Sequence, residues 1–413
     1  MHSTLRMVLA LLLAAAACST QNTGAARTPS SAPSPPPSPA PSALPTCAAA
    51  TEPAWTPVPL PRRTARDGWR VVTALAGGQP TDVVALKDGT VWVVGDRHVT
   101  RPTTPRREGN CVAVTRGGSI PVVWRKKGSE NDRHWTKLRG PRCVEQLTRV
   151  TASAGGSVWV FGTNPLPEQT PACMAKWNGR GWVERALREE VSTAAALKDD
   201  EVWTVSGKLY DRTLTQWVDG KPHDHRLAMS PEVIATRGEG ELWAAGFRAD
   251  RDTLDPAQGN ELRLARWDGR RWHKIPSPKP PLPEQEDPRV IVTDLVAIGP
   301  SDVWVAANIE VFDEEPGYLL LLHWDGAAWS WQRGSKKSVS DQLVPDGRGG
   351  FWLTGVEEDD LQHMKGRRRT PVRLPLSEDL VHLAISRVPG STRVWGVGVE
   401  SETEYGNLIW SSG

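Results

Sequence analysis

Phenylalanine, tyrosine and methionine are scarce in this chain, with 4, 3 and 5 copies among 413 residues. The usual aromatic mixture therefore cannot fill its core, and 20 tryptophans stand where that mixture would be. One large side chain used so often points to a single structural unit copied several times. Charge excess is missing as well. The 50 basic and 48 acidic residues leave a net charge of +2, which excludes the global field that draws a protein to nucleic acid, so no such partner is expected. Metal-binding signatures are few: no CxxC, no D-x-[DN]-x-[DN]-G run, and one histidine pair, His223 and His225, whose position near a hairpin turn favours a surface role over a metal. No metal site and no cofactor is assigned on this basis.

The apolar run from Met7 to Ala17 is too short for a permanent membrane helix and fits a cleaved export signal over residues 1–17. Small residues end it at Cys18. The pattern resembles the lipobox of bacterial lipoproteins, whose cysteine is diacylglyceryl-modified after cleavage just before it. That resemblance implies lipid attachment at Cys18 and a location on the extracytoplasmic face of the cell membrane. The other reading is an ordinary secretory signal cut near Ala17, with Cys18 incidental. Residues 18–52, including RTPSSAPSPPPSPAPSALPT, have no apolar periodicity and read as an extended proline-rich tether, able to reach roughly 100 Å.

The remainder, 53–413, carries one short motif seven times: TVWVVGD (Trp92), SVWVFGT (Trp159), EVWTVSG (Trp203), ELWAAGF (Trp243), DVWVAAN (Trp304), GFWLTGV (Trp352) and RVWGVGV (Trp395). The gaps run from 40 to 67 residues, a spacing typical of solenoids or propellers, and the alternating apolar pattern selects strands. Small-residue strands such as TDVVALKDG and TDLVAIGPS precede the motif. Hairpins such as LLLLHWDGAAWSWQ and LARWDGRRWHK follow it, with Asp-Gly tolerating positive φ between two strands. Four antiparallel strands per unit and seven units predict an all-β fold, a seven-bladed β-propeller closed by an N-terminal strand completing the C-terminal blade. The C-terminal GNLIWSSG lacks a fourth strand, and AWTPVPLP at Trp55 is expected to supply it beside Trp410.

These units resemble the repeat-bearing propeller lipoproteins of actinobacteria, whose repeats read DVWxxG and HWDGxxW. The resemblance covers nearly everything after Pro53 and implies a fold, not an activity. Blade six departs from it, with His363-Met364-Lys365-Gly366 in place of Trp-Asp-Gly. Blade one departs also, stretching its turn to WRKKGSENDRHW.

Cys47, Cys111, Cys143 and Cys173 form an even set in an exported chain, which favours disulfides. Cys143, between blades, is expected to pair with Cys111 or Cys173, both read as lying in loops between second and third strands.

Three candidate sites follow. Loops between second and third strands are acidic in blades four to seven, and the partner-binding candidates are Glu310, Asp313, Glu314, Glu315, Glu357, Glu358, Asp359 and Asp360. They could dock a basic envelope partner, hold Ca²⁺, or simply be solvated. On the opposite face the hairpin turns are basic, contributing Arg125, Lys126, Lys127, Arg180, Arg270, Arg271, Lys365, Arg367, Arg368 and Arg369 toward anionic lipid or wall polymer. About ten residues before the motif tryptophans lie Asp82, Arg149, Asp294, Gln342 and His382, candidates for the channel mouth. His223 and His225 near a hairpin are read as solvent-facing. No catalytic constellation is evident, although Tyr210, Tyr318 and Tyr405 could offer a nucleophile. The expected function is a monomeric, lipid-anchored binding or scaffolding module whose partner is an envelope protein or glycan. A glycan-active hydrolase or lyase on the same scaffold is the alternative.

Overall fold

Each of the seven tryptophan motifs becomes the second strand of an antiparallel sheet, four-stranded in blades one to six and carrying a short fifth edge strand in blade seven, because alternating apolar residues bury both faces of a sheet packed between two others. The structure is a computed structural model and describes residues 65–75, 78–102, 115–164, 172–208, 211–238, 240–248, 261–280, 288–311, 314–336, 340–355, 361–377, 380–400 and 407–413. Residues 1–64, with the signal, Cys18, the tether and Trp55, lie outside them. Blades one to six span 79–139, 146–187, 191–225, 230–275, 288–336 and 342–372, and blade seven spans 380–412. The first strands of successive blades touch one another, and the first strand of blade seven touches that of blade one. The chain is a seven-bladed β-propeller.

Closure follows the expected principle through a different strand. Trp69–Ala74 pairs with Asn407–Ser412, Val71 lying opposite Trp410, and completes the seventh blade. The other edge of Asn407–Ser412 is taken by Val394–Glu400, so no place beside Trp410 remains for Trp55. Asp67 and Gly68, both with positive φ, turn the chain from the edge strand Ala65–Arg66 into this closing strand.

The Trp-Asp-Gly-x-x-Trp hairpins have a four-residue loop, not a two-residue turn. In blade five Asp325 Oδ1 accepts the backbone N–H of Ala327 and Ala328 at 2.8 and 2.7 Å, and Gly326 alone takes positive φ. Asp268 and Asn178 accept the equivalent pairs in blades four and two. The backbone donors pull the Asp325 carboxyl below the ordinary range, and for Asp268 the His273 ring, ahead of the same kind of backbone donors, does so. Asp325→Ala is expected to lower the melting temperature by about 2 °C while Asp325→Asn, which keeps the acceptor, leaves it nearly unchanged; paired thermal melts check this.

The loop aligns the two tryptophans as cross-strand partners, with ring centroids 5.1 Å apart in blade two and 5.5 Å in blade five. The second indole then locks onto the preceding blade. Trp182 donates to Arg139 O at 2.8 Å, Trp329 to Pro276 O at 2.6 Å, and Trp272 to His225 Nδ1 at 3.3 Å. An acid two residues before the motif tryptophan, on the same face of the strand, accepts its indole N–H in blades three, four and five through Glu201, Glu241 and Asp302.

Two expectations change here. Cys143 pairs with Cys173, one of the two options, and Cys173 belongs to the third strand Ala172–Trp177, not to the loop before it. Cys47 and Cys111 lie outside the described residues. His225 does not face solvent. Its ring packs against Trp203, Trp267 and Trp272, while His223 on the same outer strand is exposed.

Candidate functional site

The first strand of each blade lines the axis, and six of the seven carry a bulge at one position: between Pro80 and Asp82, Leu147 and Arg149, Val191 and Thr193, Pro231 and Val233, Val292 and Asp294, and Leu380 and His382. A bulge re-aims the side chains around it. The five channel-mouth candidates fall at this level, one immediately after the bulge in each of blades one, two, five and seven, with Gln342 at the start of blade six.

Most of them reach sideways to the next blade. Asp82 Oδ1 accepts its neighbour Val83 N–H at 2.8 Å, and Oδ2 accepts Val150 N–H of blade two at 2.9 Å. Asp294 repeats the geometry with Leu295 N–H at 2.8 Å and Leu343 N–H of blade six at 2.7 Å. Gln342 Oε1 takes Ile385 N–H of blade seven at 2.9 Å, and His382 Nε2 lies 2.7 Å from Thr81 O of blade one. Arg149 remains exposed, near enough to both aspartates to pull their titration down.

Burial nevertheless dominates. Both aspartates keep some contact with solvent but are walled by protein, which pushes Asp82 up and Asp294 to about 6, against the opposing pull of the backbone donors and Arg149. The result is a ring of two aspartates, an arginine, a glutamine and a histidine whose aspartate oxygens already serve backbone donors.

A second polar cluster, not anticipated from the sequence, sits in blades three to five. The bulge residue of blade four is Glu232, where blades one, two, three and five carry Thr81, Thr148, Ser192 and Thr293 and blade seven carries Val381. Its side chain is only 5 % exposed; Arg212 Nη1 of blade three stands 2.9 Å from Oε2, and Arg289 of blade five adds attraction. Burial outweighs both arginines and raises the Glu232 carboxyl to about 7. A carboxyl raised in the native state stabilises the fold below its unfolded value near 4.5, and that contribution is lost as pH rises through 7. Glu232→Gln should therefore flatten the decline in stability between pH 4.5 and 8 by on the order of 2–3 kcal/mol, read from urea melts across that range.

Of the acidic crescent, Glu310 is described. It is exposed, with its carboxylate 4.0 Å from Arg289. Glu314 and Glu315 begin the strand Glu314–Trp324, but their side chains, with Asp313, Glu357, Glu358, Asp359 and Asp360, lie outside the described residues. Among the described residues no group of acids, histidines or cysteines could hold a metal ion. Tyr318 lies within a strand with the Arg333 guanidinium 5.6 Å from its ring centre, while Tyr210 and Tyr405 are outside the described set. The basic face also needs correction. Lys126 is 2 % exposed and Arg125 packs over Trp92 at 5.4 Å, so neither belongs to it, whereas Arg180, Arg270, Arg271, Lys365, Arg367 and Arg368 are exposed.

No protein-family model and no curated protein matches the chain. Solved structures do. The β-propeller domain of the Trilobed protease from Pyrococcus furiosus is similar with a TM-score of 0.50 and 10 % identity, over 81 % of this chain and 95 % of that one. YCF48 bound to D1 peptide gives 0.40 and 14 % over 76 % and 97 %, and a GH74 xyloglucanase from Xanthomonas campestris gives 0.47 and 11 % over 83 % and 55 %. The likeness to the Trilobed protease domain supports a shared propeller fold and, at this identity, says nothing about activity.

Proposed function

We propose that this chain is an exported, lipid-anchored β-propeller acting as a binding or scaffolding module at the extracytoplasmic face of the cell membrane. The address rests on the short apolar run ending at Cys18 and on the proline-rich segment after it. The preference for binding over catalysis rests on one observation: both oxygens of Asp82 and both of Asp294 are engaged by backbone N–H groups, two of them from adjacent blades. A glycan hydrolase needs two carboxylates free to meet a substrate across an open pocket. Among the described residues, the acids at the axis hold blades together instead.

The test pairs two measurements on full-length protein in its native host. Metabolic labelling with a clickable fatty acid should mark the parent and not Cys18→Ser, and the parent alone should fractionate with membranes. Crosslinking should then capture a discrete envelope partner. Absence of label, or turnover of envelope glycan by the purified protein, would contradict the proposal.

A further inference from the structure

Seams between blades are filled by tryptophan from the outer strand, except where the sequence breaks the rule. Trp182, Trp272 and Trp329 occupy one equivalent position, and Trp135 and Trp69, two residues from it, do the same work in blades one and seven. Each meets the motif tryptophan of the preceding blade or its cluster: Trp182 with Trp92, Trp272 with Trp203, Trp135 with Trp395, Trp69 with Trp352, and Trp329 against the cluster that holds Trp243. Blade three has Pro222 at this position. Blade six has Arg369, directly opposite the buried Met364, so it faces blade five.

The consequence is a cavity of about 480 Å³ at the seam of blades five and six. Its floor is Leu319 and Leu321, and Arg367 and Arg369 stand on one wall. The other wall is residues 331–334 of the outer strand Trp329–Lys336, which among the described residues has a hydrogen-bonded neighbour on one side only. Leu321 pairs with Gln332, which places the glutamine amide on the cavity side of that strand. Neither arginine has a carboxylate or hydrogen-bond partner among the described residues. Arg369 is half-buried, and the loss of solvent pulls its guanidinium below the ordinary arginine range. An unpaired, partly desolvated guanidinium is costly, and an incoming carboxylate would relieve that cost.

We infer that this seam binds an extended acidic peptide, its carboxylate held by Arg369 and Arg367, an apolar side chain on Leu319 and Leu321, and its backbone along the open edge of residues 331–334. Charge complementarity requires the acid. The peptide is favoured over an acidic glycan because a strand edge offers donors and acceptors at strand spacing, and a leucine floor suits an apolar side chain better than hydroxyls. This inference deepens the binding-module reading and rests on it.

Fluorescence polarisation on the full-length protein tests it, with a labelled, end-blocked six-residue peptide of alternating leucine and glutamate as probe. Saturable binding is expected, and it should weaken at least about tenfold for the glutamine version of the peptide, for the Arg367→Gln/Arg369→Gln double variant, and for Arg369→Trp. Arg369→Trp restores the ring used at other seams, so it should melt no lower than the parent, which separates lost binding from lost folding. Absence of saturable binding, equal binding of the glutamine peptide, or unchanged binding by Arg369→Trp would overturn the inference. So would a heparin fragment that outcompetes the peptide through the same arginines, since the ligand would then be an acidic glycan. Envelope-partner capture that survives Arg369→Trp would leave the scaffold reading standing while removing this site from it.

Discussion

Asp132→Ala should destabilise the protein by about 3 kcal/mol and lower its melting temperature by roughly 4 °C. Asp132 lies in the stretched turn of blade one, where its carboxylate meets three cations: Arg70 Nη2 at 2.5 Å, Lys126 Nζ at 3.5 Å, and Arg393 Nη2 in close contact. Arg70 belongs to the closing strand and Arg393 flanks the second strand of blade seven, so one aspartate ties the first full blade to the blade that closes the ring. Lys126 determines the magnitude. At 2 % exposure it cannot turn to water, and its other partners are Lys127 O at 3.1 Å and the Trp395 ring 5.5 Å away. Removing the carboxylate leaves a buried ammonium nearly uncompensated, whereas exposed Arg70 can rehydrate at small cost. Lys126→Met in the Asp132→Ala background should therefore recover a good part of the loss. Chemical denaturation of the single and double variants measures the coupling, and additive losses would contradict the assignment.

Cys173→Ser should cost about 3–4 kcal/mol. The Cys143–Cys173 bridge closes a loop of 30 residues, and loop-closure entropy at that length gives this figure. The bridge joins the connection between blades one and two to the third strand of blade two, and Cys173 is nearly buried beside Val160 and Leu147 in the seam between those blades. Serine there loses the crosslink and places a hydroxyl among apolar side chains, whereas Cys143→Ser, at a half-buried position, loses the crosslink alone. Cys173→Ser should thus melt below Cys143→Ser, and reduction of the parent should match the milder variant. Differential scanning calorimetry with and without reductant orders the three.

The repeat made the architecture legible. A tryptophan inside an alternating strand, a Gly-rich turn and an Asp-Gly hairpin recur at a blade's spacing, and periodic local signals of this kind survive in a single sequence. AWTPVPLP imitates the outer-strand text of blade four, RWHKIPSP, and so points to the wrong segment for the closing strand. The signal that distinguishes the true strand is Arg66-Asp67-Gly68-Trp69, an Asp-Gly turn before a tryptophan and then the alternating run of Trp69–Ala74. Asp82 and Asp294 could be placed at the axis by counting back from the motif, but not their work, because Val150 and Leu343 lie 68 and 49 residues away in sequence. Glu232 looked like any strand glutamate. The arginines that face it, Arg212 and Arg289, are contributed by two other blades. Blade six was visibly irregular as text, yet the cavity it opens depends on blade five, and nothing in the Met364 hairpin alone shows what the missing ring would have covered.

Closure of the ring of seven blades rests on residues 69–74. It is tested most directly by comparing cooperative thermal unfolding of a chain that begins at residue 64 with one that begins at residue 76. The first should melt with the same midpoint and sharpness as the longer protein, and the second should lose its cooperative transition, since Trp69, Val71 and Ala74 leave the seventh blade and its seam with blade six unfilled. A chain from residue 64 that already fails, or a chain from residue 76 that melts unchanged, would show that the ring is closed by some other segment.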